Sequence, residues 1–91
     1  MAYEWDEEKR KANVKIHRVD FTAAVEFEWQ SAVVEVDDRE DYRELRERAL
    51  GFIGVRLHML VFTRRGDNIR IISLRKAERQ EVREYAKKIP R

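Results

Sequence analysis

The sequence predicts an α+β domain: an antiparallel meander with two N-terminal helices before it and a C-terminal helix after it. Three observations support this. Residues 46–74 fall into extended apolar runs broken by Arg64-Arg65-Gly66-Asp67-Asn68, which holds the residues a hairpin turn needs. Residues 6–29 carry capped patterns at helical spacing, and Val82, Tyr85, Ala86 and Ile89 stand at i, i+3, i+4 and i+7 ahead of Pro90. At 91 residues the chain has room for one core, so residues 1–91 are read as a single domain.

The elements follow in order. Asp6 is an N-cap, and Glu7 and Glu8 behind it favour the positive end of a helix over about 6–16. That helix is mostly polar, with Ala12 and Ile16 as a narrow apolar edge. His17-Arg18-Val19-Asp20 reads as a break. Phe21, Ala24, Val25 and Trp29 then return at helix-like spacing, predicting a second helix over about 21–29. Ala32 to Val36 is short and β-branched, a strand, and Asp37-Asp38-Arg39-Glu40-Asp41 is a charged connection. Extended segments over 46–53, 56–63 and 69–74 complete the meander, and residues 77–89 close the chain as a helix. All helices are expected on one face of the sheet. Arg70 and Arg75 differ in strand parity, so a bulge or the strand end must decide where Arg75 points.

Composition excludes several classes. The absence of cysteine removes disulfides, thiolate zinc sites and a cysteine nucleophile, and two histidines make a protein-only zinc site improbable. No metal or cofactor is expected. No run approaches the roughly 20 apolar residues of a membrane span, and the N-terminus lacks signal-peptide order, so the expected location is the cytoplasm with no membrane partner. Glycine-rich phosphate loops, nucleophile elbows and HExxH pairs are absent from the sequence.

Charge is distributed unevenly. Residues 1–45 hold 7 Lys/Arg against 13 Asp/Glu, and residues 46–91 hold 13 against 5, a swing from −6 to +8. Such asymmetry suggests a polyanionic or acidic partner for the basic half, or attraction between the halves within the fold. Fourteen of the 20 cations are arginine, whose planar fork grips phosphate oxygens two at a time. Arg46, Arg48, Arg56, Arg64, Arg65, Arg70, Arg75, Lys76 and Arg79 share one 34-residue stretch with only three acids, so a sheet face lined by them would attract nucleic acid. His17 titrates near neutrality and follows a cationic helix; a structural role competes with proton transfer beside phosphate. His58 and Ser73 read as strand residues, and Tyr3, Trp5 and Phe21 as core rather than base-stacking platforms.

Taken together, several segments resemble one family. They are Tyr3-Glu4-Trp5-Asp6-Glu7-Glu8-Lys9 with Asn13, His17, Val19 and Phe21; Glu44-x-Arg46 with Ala49-Leu50-Gly51; Leu60-Val61-Phe62-Thr63-x-Arg65-Gly66; and Ile69-Arg70-Ile71-Ile72-Ser73-x-Arg75-Lys76-Ala77 with Arg79, Glu81 and Tyr85. The set is similar to the BrnT toxins of type II toxin–antitoxin systems. The resemblance implies a compact RelE-like α+β fold and metal-independent endoribonuclease activity that arrests translation. It also implies an RNA substrate and neutralisation by a BrnA-type antitoxin encoded nearby, with DNA reached only through that antitoxin.

Carried over by position, the polar motif residues are Lys9, His17, Glu44, Arg46, Arg75 and Lys76, with Trp5, Gly51 and Tyr85 as scaffold. The expected catalytic group is Arg46 and Arg75 on the phosphate, with His17 or Glu44 transferring protons. Lys9, Arg48, Arg70 and Lys76 are the expected RNA-binding cations. Where the family frequently has Lys-His-Gly, this chain has Ile16-His17-Arg18, and Leu74 stands where Ala or Met is common. The competing reading is a non-catalytic or inactivated basic module that binds RNA or an antitoxin.

Overall fold

The computed structural model describes residues 1–89. Asp6 caps the helix α1, Glu7–His17, accepting the backbone N–H groups of Glu8 and Lys9. A short strand β1, Tyr3–Glu4, precedes it. Strands β2, Val33–Val36, β3, Glu47–Ile53, β4, Arg56–Arg65, and β5, Asn68–Lys76, follow, and helix α2, Arg79–Lys88, ends the described chain. The expected stop at Pro90 lies outside the described residues; Ile89 caps α2 through its N–H to the Tyr85 carbonyl.

The sheet order is β1-β5-β4-β3-β2. The meander β2 to β5 is antiparallel as expected, but β1 runs parallel to β5, so the sheet is mixed. Two residues are too short to show alternation, and this strand had no signature to read. Nor is the second N-terminal helix an α-helix. Phe21–Glu26 and Trp29–Ser31 are 3₁₀ turns, separated where Phe27 leaves to bridge Ile53. With three residues per turn, Phe21, Ala24 and Phe27 fall on one side, and all three are buried.

The helical elements do not share one face. Phe21, Ala24, Phe27 and Val19 pack with Ala49, Leu60, Phe62, Ile69, Ile71 and Leu74 as the larger core. On the opposite face Leu50, Leu57, Met59 and Val61 meet Tyr85 of α2. The strands alternate, so an amphipathic helix arriving after β5 finds the second apolar stripe unfilled and covers it. Tyr85 also donates its hydroxyl to the Ser31 carbonyl at 2.8 Å, tying α2 to the 3₁₀ segment.

Asn13 of α1 secures the free end of β5. Its amide nitrogen donates to the carbonyls of Leu74 and Val19 at 2.7 and 2.9 Å, while its oxygen accepts the Leu74 N–H. One side chain thereby satisfies both backbone groups of an edge residue beyond the reach of β1.

Candidate functional site

The basic strands meet on the sheet face that α2 only partly covers. Alternation puts Arg46 and Arg48 on the same side as Leu50 and Phe52, which pack in the α2 core. On β5 the register slips between Val61 and Phe62 of its partner: Val61 faces Ser73 while Phe62 faces Ile71. Ile72 is the extra residue, and the bulge cancels the odd spacing between Arg70 and Arg75. Arg70 and Arg75 thus emerge on the same face as Arg46 and Arg48. Strands β3 and β5 flank β4, so Arg46 at the end of β3 stands about 10 Å from Arg70 across Thr63, while Arg48 and Arg75 face each other diagonally across Val61 and Met59.

Each arginine is held differently. Arg75 is gripped by both oxygens of Glu81, at 2.8 and 2.9 Å from Nη1 and Nη2. Glu81 is itself fixed, since Oε1 accepts the Glu78 N–H in the capping box that starts α2. The guanidinium holds the Glu81 carboxyl below the usual carboxylate range, and Glu81 raises Arg75 in turn. Arg46 donates to Glu44 at 3.3 Å and stacks 4.0 Å over the Tyr42 ring. Arg70 pairs with Glu4 at 3.4 Å.

Arg48 makes no side-chain hydrogen bond or ion pair among the described residues. It lines a depression of about 210 Å³ with Glu78, Gln80, Glu81 and Glu84. Its charge also reaches Glu35, Asp37 and Glu81, whose carboxyls are each held primarily by another cation: Lys88, Arg39 and Arg75. A half-buried guanidinium among carboxylates already engaged elsewhere is available to an incoming anion.

The remaining candidates fall elsewhere. Glu44 sits beside this face, bonded to Arg46 and 3.9 Å from Arg65. His17 is in the last turn of α1, half-buried on the stripe with Arg10, Asn13 and Val14. That helix lies along the β5 edge, where Asn13 bonds Leu74, and the chain beyond it enters the larger core at Val19. Lys9 is exposed on α1, and Lys76 has the parity of Leu74, facing away from Arg75. Tyr3, Trp5 and Phe21 are core residues: Trp5 meets Phe21 edge-on at 6.1 Å, and Trp29 donates to the Tyr3 hydroxyl at 2.6 Å.

Sequence reasoning left Glu81, Asp37, Arg39 and Tyr42 out of the site. Glu81 lay inside the helix read over residues 77–89 and takes the N3 capping position only with the observed start of α2 at Arg79, while the other three lie in or beside a charged connection.

The Ile16-His17-Arg18 departure also has a location. Ile16 is exposed and Arg18 is the left-handed cap of α1, with φ of 62° and its N–H on the Val14 carbonyl. The departure falls at the end of α1.

A family model described as the ribonuclease toxin, BrnT, of type II toxin–antitoxin systems matches residues 5–81. No curated protein sequence matches the chain. Among solved structures, the Brucella abortus ribonuclease toxin BrnT, determined at 1.1 Å, shares 30% identity and superposes with a TM-score of 0.67, covering 87% of this chain and 99% of that one. With the family match spanning most of the sequence and the fold shared, this chain belongs to the BrnT family of ribonuclease toxins of type II toxin–antitoxin systems.

Proposed function

We propose that this protein is a metal-independent endoribonuclease of RelE-like architecture, acting in the cytoplasm to arrest translation and growth. A BrnA-type antitoxin neutralises it by covering the arginine face. The observation that carries this reading is the convergence of Arg46, Arg48, Arg70 and Arg75 on one sheet face. Family membership supplies the ribonuclease class.

Cleavage without a metal needs three things: a base for the 2′-hydroxyl proton, positive charge around the five-coordinate phosphate, and an acid for the 5′ oxygen. The O2′–P bond forms as the P–O5′ bond breaks, leaving a 2′,3′-cyclic phosphate and a 5′ hydroxyl. Arg46 and Arg75 hold the phosphate, and Arg48 and Arg70 hold its neighbours along the strand. Glu44 is the favoured proton-transfer group, because it sits against Arg46. His17, at the end of the helix along the β5 edge, is the second candidate. Lys9 and Lys76 add long-range attraction.

The test is incubation of the purified protein with total RNA in EDTA beside Arg75→Ala, Glu44→Gln and His17→Ala. The expected outcome is cleavage by the parent and a loss on the order of 10²–10³ in rate for Arg75→Ala. Equal cleavage by a folded Arg75→Ala variant overturns its assignment. Loss in His17→Ala with retention in Glu44→Gln reverses the base assignment.

A second reading has its own observation. Arg75 already carries a bidentate carboxylate, the contact an acidic antitoxin segment would make. A protein that binds its antitoxin through this face yet leaves RNA intact, with and without ribosomes, fits that reading alone.

A further inference from the structure

We infer that Arg39 is a further RNA-binding residue, gripping the phosphate next to the one held by Arg75. This rests on the ribonuclease reading above.

The argument begins with Asp37. Its side chain is only 1% exposed and accepts both Nε and Nη2 of Arg39, at 2.6 and 2.8 Å. The Asp37 N–H meanwhile donates to the Arg46 carbonyl at 2.8 Å, closing the neck of the loop. A buried carboxylate bonded to the chain on one side and to a guanidinium on the other holds that guanidinium in a fixed place. Arg39 nevertheless stays 52% exposed, with the Tyr42 side chain as its other polar neighbour. Surface arginines usually lose rotamer freedom when they bind phosphate; here the loss has already occurred on folding.

Its surroundings are those of a phosphate site. Arg39 is close enough to Arg75 for their charges to repel, and Asp37 feels Arg48 as well as Arg39. Tyr42 lies between the loop and the strand, within reach of Arg39 and stacked under Arg46. Guanidiniums whose charges repel gain from an anion between them.

The test is binding, not cleavage. The probe is a short single-stranded RNA with methylated 2′-hydroxyls, which cannot be cut, titrated over a range of salt. Arg39→Gln alone would strand a buried carboxylate, so the informative variant is Asp37→Asn with Arg39→Gln, its folding checked by thermal melting. Each phosphate contact on a single strand contributes about 0.7 to the slope of log affinity against log salt, so the double variant is expected to lose about 0.7 of slope while staying folded. Asp37→Asn alone, which keeps the charge but frees the side chain, is expected to weaken binding with the slope unchanged. A folded double variant with the parental slope overturns the role of Arg39 and leaves the ribonuclease reading standing. Failure of the parent itself to bind the probe overturns both.

Discussion

Arg18 holds a left-handed backbone at the end of α1, a conformation that costs a residue with a Cβ about 1 kcal/mol and glycine almost nothing. Arg18→Gly is therefore expected to stabilise the protein by about 0.5–1 kcal/mol, read as a higher urea midpoint, with RNA cleavage unchanged. A fall in stability would show that the Arg18 side chain makes a contact worth more than the strain. Gly51 presents the opposite case. The Phe27 ring lies on it so closely that a Cβ would meet Cζ at 2.5 Å. Gly51→Ala must displace a buried aromatic, and the expected cost is about 1–3 kcal/mol in chemical denaturation. At this scale the arginines were legible in the sequence because their chemistry is intrinsic, whereas the importance of Asp37 was not, since only burial distinguishes it from Asp38 and Asp41.

At the scale of elements, α2 joins the second core to the site. Its capping box fixes Glu81, and Glu81 fixes Arg75. Asp37 does the same for Arg39 at the end of β2. Both carboxyls are held below their ordinary values, chiefly by hydrogen bonds from their arginine partners. A depressed folded value means that the stabilisation is complete above the unfolded pKa, near pH 4, and is lost as pH falls through the folded values. Thermal melts from neutral pH to about pH 3 should show stability dropping below about pH 4, with a shallower drop in Glu81→Gln. An identical acid profile in that variant would remove Glu81 as a contributor. The helices, the meander and its turn were readable from periodicity and turn residues. The 3₁₀ segment was not, because Phe21, Ala24 and Phe27 fit three residues per turn nearly as well as 3.6.

Across the whole molecule, the acidic and basic halves do pair in places: Glu4 with Arg70, Glu44 with Arg65, and Glu35 with Lys88. These pairs are substantially exposed, and such pairs contribute little net stability. The two apolar layers hold the fold, with Phe21, Leu60, Phe62, Ile71 and Leu74 fully buried. Raising NaCl from about 0.1 to about 1 M should leave the urea midpoint nearly unchanged while RNA affinity falls steeply. A large loss of stability in salt would mean that attraction between the halves, rather than the cores, carries the fold.

The sequence by itself determined the class of the domain, its family, the Asp6 cap of α1, the strands of the meander and the arginine-rich character of the candidate surface. These depend on local spacing and side-chain chemistry, which a linear chain already carries. Tertiary structure decided which arginines share a face, because a single bulge residue reverses strand parity and α2 chooses the face left open to it. It also fixed Arg39 on the buried Asp37, since burial and loop closure are not written at any one position.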